Sequence, residues 1–170
     1  MINKNVEKAI NGQIVVEGYS SNLYLAMASW CEGNAFAGAA KFLYFHAEEE
    51  RLHMLKFVHY LNDRGGHAVI PALDAPPKDY KDIFVLFEEI MKHEEYVTNC
   101  INSLVEVSMN EKDFNTANFL QWYVMEQVEE ESLFRTILDK MKLLGQEKTG
   151  FYLIDKELDG MAVTTAAPKV

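Results

Sequence analysis

Apolar residues recur every three or four positions along most of this chain, which is the spacing of amphipathic helices. Glycines and prolines divide the pattern into helices over about 5–33, 38–62, 83–109 and 115–144. The stretch 67–81 contains three of the four prolines, so it cannot be helical throughout, and it is long enough to carry the chain along a bundle. The pattern predicts an all-α four-helix bundle with one long crossover.

The C-terminal part is shorter and less regular. After Gly145 and Gly150, the apolar and acidic residues of 151–158 predict a short fifth helix. Thr, Ala and Pro dominate 161–170, so we expect a flexible tail there and a single domain over 1–160.

Three of the predicted helices place an acidic residue inside their apolar face. Glu50 and His53 share the apolar stripe of the second helix, while Glu17 and Glu94 lie within the apolar faces of the first and third. The fourth helix carries a polar cluster about halfway along: Glu126, Gln127, Glu129, Glu130 and Glu131. Because a carboxylate buried without a partner is costly, and a metal ion suits both carboxylate and imidazole, this layout predicts a di-metal site in the bundle.

Each of these residues has a plainer explanation when it is taken alone. A single Glu on an apolar face is usually a boundary residue, and a single His is usually a core residue. The acidic runs 48–50 and 129–131 would each usually be a solvated helix face. The coincidence of three buried Glu positions, one Glu-x-x-His and a fourth acidic cluster favours the metal site over a metal-free helical interaction module.

The amino-acid composition excludes several classes of binding partner and of fold. The 170 residues include 26 Asp and Glu against 16 Lys and Arg, with no basic stripe, which argues against nucleic acid. Cys31 and Cys100 are the only cysteines and lie far apart, which disfavours a disulfide framework. No segment has the pattern of a signal peptide or a membrane span, so we expect a cytoplasmic protein.

The first helix is apolar on a second side. Val16, Leu23, Met27 and Trp30 form a face well away from Glu17. One bundle core cannot bury both sides of a helix, so this face predicts a subunit interface.

Several stretches of the chain resemble the bacterial non-haem ferritins, from Glu17 through the predicted fifth helix. The most specific are EGYSSNLY from Glu17, HAEEERLH from His46, KHE from Lys92, FLQWYV from Phe119 and YLIDKEL from Tyr152. The resemblance implies a ferritin-like bundle and an iron-storage protein with ferroxidase activity. It implies that ferrous iron is oxidised by dioxygen or hydrogen peroxide and is stored as a ferric oxyhydroxide mineral in a homo-oligomeric shell of 24 subunits.

The same resemblance assigns roles to individual residues. Glu17, Glu50 and His53 would hold the first iron, and Glu94 and Gln127 would complete the second, with Glu50 bridging. Tyr24 would lie beside the centre as an electron donor. A third iron position next to the pair would be formed by four carboxylates: Glu49, Glu126, Glu129 and Glu130. The fifth helix would line the four-fold contacts of the shell.

Departures from related di-iron proteins refine this hypothesis. Gln127-x-x-Glu130 stands where a symmetrical di-iron enzyme has a second Glu-x-x-His, so the second iron should be held weakly. Arg51 follows the bridging Glu where haem-carrying bacterioferritin has a methionine, so no haem is expected. A di-iron peroxidase or a miniferritin-type oxidative-stress protein remains the alternative. The miniferritins place their iron site between subunits, unlike the ligand set expected here.

Overall fold

Five α-helices make up most of the described chain. The computed structural model describes residues 2–145 and 147–164. Its helices in chain order are α1 (Lys4–Gly33), α2 (Ala37–Asp63), α3 (Ile83–Asn110), α4 (Phe114–Leu144) and α5 (Lys148–Thr164). The predicted all-α fold and the bounds of the first four helices, to within a few residues, are confirmed.

Side chains at the helix starts explain why three helices begin where they do. Asn3, Asp82 and Asp113 each accept a hydrogen bond from a backbone N–H in the first turn of α1, α3 and α4. Such caps stabilise a helix start because the first backbone donors have no partner within the helix. The residue preceding α2, Phe36, offers no such bond. The acceptor for α2 comes instead from α5, where Asp155 Oδ1 lies 2.9 Å from the N–H of Ala39.

Short turns join α1 to α2 and α3 to α4, which makes each pair antiparallel neighbours. The connection from α2 to α3 is the predicted long crossover over 64–82. Its second residue, Gly65, has a φ of 73°, which suits glycine. The crossover then lies against α1, where Asn11 Oδ1 accepts from the N–H of Val69 at 2.8 Å.

The apolar core has two halves separated by a polar layer. One half contains large buried residues such as Phe42, Phe87 and Phe134, and the other contains residues such as Phe57 and Leu120. Between the halves, each helix of the bundle contributes buried polar side chains at matching depth: Glu17, Glu50, His53, Glu94, Gln127 and Glu130. The fold thus supports this layer with packed side chains on both sides.

The predicted interface on α1 is wrong for its central residues. Leu23 and Met27 are buried within the single chain. Tyr80 of the crossover covers this side of α1 and meets Trp30 edge-on, with ring centroids 5.6 Å apart. Val16 is half-buried. The crossover therefore provides the cover that the sequence pattern attributed to another subunit.

The fifth helix is also longer than predicted. It has 17 residues, and residues 161–164, expected in a flexible tail, continue the helix. The rest of that predicted tail, 165–170, lies outside the described residues. Ile154 and Leu158 of α5 are fully buried against the first half of the core. At Gly38 the backbones of α2 and α5 come so close that a Cβ atom would overlap the carbonyl oxygen of Asp155.

Candidate metal centre

Glu17, Glu50 and His53 meet in the polar layer of the bundle. Each offers a ligand atom, and these atoms all lie within 4.8 Å of one another. His53 Nδ1 is 3.4 Å from Glu50 Oε2, as the i, i+3 spacing on α2 allows. All three side chains are buried. This is the group that the sequence assigned to the first iron.

The two carboxyl groups of this cluster are held close to each other. Burial raises the pKa of Glu17 well above its ordinary value, and the neighbouring Glu50 raises it further. Burial also raises the pKa of Glu50, with the charge of Glu94 adding to the effect. The proximity of the Glu17 and Glu50 carboxyls therefore disfavours ionisation of both in the metal-free chain. A bound cation would reverse this preference.

Glu94 approaches from α3 and is held by two neutral side chains. The Tyr24 hydroxyl donates to Glu94 Oε1, and Gln127 Nε2 donates to Glu94 Oε2 at 3.0 Å. Burial raises the pKa of Glu94, while both hydrogen bonds lower it. The pKa of Tyr24 is raised well above its ordinary value by burial and by Glu94. Tyr24 and Gln127 thus both lie beside Glu94, the residue that the sequence assigned to the second iron.

The acidic cluster of α4 divides into residues with different surroundings. Glu130 is buried, Glu126 is half-buried and Glu129 is exposed. Glu126 forms a group of ligand atoms with Glu49 and His53. Glu130 forms another with Glu49, so Glu49 is shared between the two. Among the described residues, no such group includes Glu129, so the four predicted ligands of a third iron do not converge on one point.

His46 is the residue that sequence reasoning missed. It completes the group of Glu49 and Glu130, and its Nε2 lies 4.0 Å from Glu130 Oε2. Burial lowers the pKa of His46 to about 4, so the imidazole is neutral at physiological pH. The sequence feature that could have identified His46 is its position on the apolar stripe of α2, one turn before Glu50.

The charge of the layer favours cations. Burial, together with Glu94 and Glu50, raises the pKa of Glu130 well above its ordinary value. In the part of the chain that the structure describes, no lysine or arginine forms an ion pair with Glu17, Glu50, Glu94 or Glu130. Carboxylate oxygens with a few imidazole nitrogens suit first-row divalent cations, ferrous iron among them. The residues therefore fit an iron site.

Comparison with known proteins agrees with this fold and donor set. Residues 7–144 match the family model of the ferritin-like domain. A probable bacterial non-haem ferritin-like protein of Haemophilus influenzae is 49% identical over 162 residues, covering 95% of this chain and 98% of that protein. A bacterial non-haem ferritin of Campylobacter jejuni is 44% identical, covering 96% of this chain and 98% of that protein.

The chain therefore belongs to the ferritin family. The resemblance to bacterial non-haem ferritins that the quoted motifs indicated is confirmed. Among solved structures, an open-pore ferritin from the archaeon Archaeoglobus fulgidus superposes with a TM-score of 0.91 at 40% identity, covering 94% of this chain and 98% of that one. In the described part of the chain, no helix has both the length and the apolar character needed to cross a membrane.

Proposed function

We propose that this protein oxidises ferrous iron within each subunit and stores the ferric product as a mineral. The observation that carries this proposal is the polar layer, where buried carboxylates from different helices meet His53 and, among the described residues, form no ion pair with a lysine or arginine. A bundle core accepts such a layer when cations neutralise it. The similarity to bacterial non-haem ferritins over nearly the whole chain supports iron as that cation.

In the proposed reaction, Glu17, Glu50 and His53 bind the first ferrous ion, and Glu94 binds the second, with Glu50 between them. Each ion loses one electron. Dioxygen accepts the two electrons with two protons to give hydrogen peroxide, or peroxide accepts them with two protons to give two water molecules. The carboxylates stabilise the ferric products because hard oxygen donors prefer the higher charge. Tyr24, which donates to Glu94, is within reach to supply a further electron.

The polar partner of Glu94 favours release of the oxidised iron. Gln127 contributes a neutral amide, and its N–H groups already serve Glu94 and Thr98. A neutral amide adds no charge to hold a ferric ion at the second position. Iron at this position therefore behaves as a substrate in transit, which suits storage better than a reaction that must retain its metal.

A third iron position and a shell of 24 subunits complete the proposal. Glu49 supports the former because its carboxylate forms one group of ligand atoms with Glu126 and another with Glu130. Tyr152 and Leu153 support the latter because α5 leaves them exposed in the single chain. Exposed apolar residues on one helix are typical of a contact with other subunits. The cytoplasmic location stays a prediction.

The alternative of a miniferritin-type protein is disfavoured by the same geometry. Glu17, Glu50 and His53 lie within one chain, whereas that class builds its site between subunits.

The direct test is stopped-flow absorbance after mixing ferrous iron with the protein in air. We expect His53→Ala to slow the rapid phase of ferric absorbance by at least about tenfold, because it removes the only imidazole of the first group. Glu48→Gln is the matched control, since Glu48 is an exposed acidic residue of the same helix. An unchanged rapid phase in the His53 variant would refute the proposed site. Sedimentation as a monomer or dimer would refute the shell.

A further inference from the structure

We propose that a cleft between α1 and α3 is the route by which a small neutral oxidant, dioxygen or hydrogen peroxide, reaches the first-iron position. This inference rests on the proposed function, because it assigns a path to the oxidant of that reaction. The cleft has a volume of about 400 Å³. It is lined by residues of the two helices: Ala9, Gly12, Gln13, Val16, Asn99, Cys100, Ser103, Leu104 and Val107.

The sequence of α1 explains why the two helices leave a gap. Ala9, Gly12 and Val16 are spaced by three and four residues, so they share one face of the helix. Ala9 and Gly12 are too small to fill the space between the helices. A Cβ atom added at Gly12 would meet no other atom within 4 Å. The cleft is therefore open beside Gly12.

The inner end of the cleft is the side chain of Gln13. This residue lines the cleft, yet it is only 3% exposed. Its Nε2 donates a hydrogen bond of 2.8 Å to Glu17 Oε1. Glu17 belongs to the ligand group of the first-iron position, so the Gln13 amide stands between the cleft and that group. Rotation of this side chain, which breaks one hydrogen bond, would connect the two.

The lining of the cleft suits a neutral molecule better than a cation. In the part of the chain that the structure describes, no aspartate, glutamate, lysine or arginine lines it. A ferrous ion that entered would lose water ligands without gaining a charged partner, which is costly. Dioxygen and hydrogen peroxide are uncharged and need no such partner. The volume is also ample, since a water molecule takes up about 30 Å³ in the liquid.

A second opening, between α2 and α4, has the character expected of a cation path. It has a volume of about 480 Å³, and His53 itself lines it. Its charged lining residues are Glu49, Lys56, Asp63 and Glu126. Three carboxylates against one lysine attract cations. The first-iron position thus has a charged approach beside His53 and an uncharged approach beside Glu17, so the oxidant need not pass the arriving iron.

Gly12→Phe and Ser103→Phe are the two plug variants that test this route. At Gly12 the new side chain would fill the cleft from α1 without replacing an iron ligand. At Ser103 it would fill the cleft from α3, and the lost hydroxyl bonds the carbonyl oxygen of Asn99 in its own helix. Gly33→Phe is the matched control, because Gly33 ends α1 away from the cleft and its Cβ would also meet no atom within 4 Å.

The measurement is stopped-flow absorbance of the full-length protein loaded with ferrous iron. Apparent second-order rate constants are obtained with dioxygen and, in a separate anaerobic series, with hydrogen peroxide. We expect a several-fold fall in both plug variants for the oxidant that uses the cleft, and wild-type constants in Gly33→Phe. Anaerobic binding of Co²⁺, followed by its visible absorption, should keep the wild-type rate and stoichiometry in all variants, because the cation takes the other approach.

The possible outcomes separate this inference from the proposed function. Wild-type constants for both oxidants in both plug variants would overturn the route and leave the proposed function intact. Slower Co²⁺ binding in the plug variants would also overturn it, because the cleft would then carry the cation. A changed sedimentation coefficient in Gly12→Phe alone would make the cleft a contact between subunits and overturn it too. A wild type without a rapid phase for either oxidant would refute the proposed function itself.

Discussion

Replacing Glu50 by Gln should stabilise the metal-free protein while it weakens cation binding. Glu50 is 3% exposed, so its charge is almost fully desolvated. Glu17 and Glu94 are acidic neighbours of Glu50 in the layer, and Glu94 helps to raise the pKa of Glu50. The Gln side chain has nearly the same shape, so it creates no cavity, and its amide can still hydrogen-bond Glu17. Removing a buried charge from such a group while keeping its volume contributes about 1–4 kcal/mol to the free energy of unfolding.

For a chain of this length, 1 kcal/mol shifts the melting temperature by about 2–4 °C. The expected increase for Glu50→Gln is therefore about 2–16 °C, measured by circular dichroism at neutral pH with a chelator present. Glu48→Gln, at an exposed position of the same helix, should change the free energy by no more than about 0.5 kcal/mol.

With Zn²⁺ in place of the chelator, the wild type should melt at a higher temperature than Glu50→Gln. A ligand that binds only the folded state adds about 4 kcal/mol when its concentration is a thousandfold above Kd. The wild type should gain this stabilisation, whereas Glu50→Gln loses the bridging carboxylate and gains less. If Glu50→Gln melts below the wild type in chelator, the reasoning is refuted, because the carboxylates would then be satisfied by their own hydrogen bonds.

Two further predictions concern the docking of α5 and the effect of pH. Asp155→Ala should lower the free energy of unfolding by about 1 kcal/mol and speed hydrogen exchange at Ala39, because the start of α2 loses its acceptor; unchanged exchange there would contradict this. In chelator, the free energy of unfolding should fall as pH rises above about 4.5, because the unfolded chain then releases protons that the folded chain retains. The folded-state pKa of Glu17 and Glu130 is raised above the ordinary 4.5, so their contribution is complete below that value and is lost as pH rises through the folded pKa. Denaturant unfolding at several pH values should show that the free energy of unfolding falls less steeply with pH in Glu17→Gln than in the wild type. An equal slope in the two proteins would exclude Glu17 as a cause.

The sequence predicted the bundle and the meeting of Glu17, Glu50 and His53 because both depend on helical periodicity. Glu17, Glu50 and Glu94 interrupt apolar stripes, and such interruptions are visible without coordinates. His46 was different. A histidine on an apolar stripe looks the same whether it packs in the core or faces a carboxylate of another helix, and only the position of Glu130 distinguishes the two.

The predictions for the apolar second face of α1 and for the length of α5 were wrong for related reasons. Periodicity shows that Leu23 and Met27 must be covered, but it cannot tell the crossover of the same chain from another subunit. In α5, the prediction ended the helix at residue 158, yet the helix continues to Thr164. Packing of Leu158 against the core provides the stabilisation that the local sequence lacks.

The hydrogen bond between Ala39 and Asp155 joins residues 116 positions apart, and this separation has a consequence during synthesis. A growing chain leaves the ribosome from its N-terminus, so α1–α4, with every candidate ligand, emerge before Asp155. The nascent bundle can close around its polar layer while the first turn of α2 still lacks its acceptor. A chain that stops early would carry a full set of ligands on a helix with a frayed beginning. Only the completed polypeptide supplies the acceptor for the first turn of α2. The hydrogen bond between Ala39 and Asp155 therefore distinguishes whole subunits from fragments that already carry the candidate ligands.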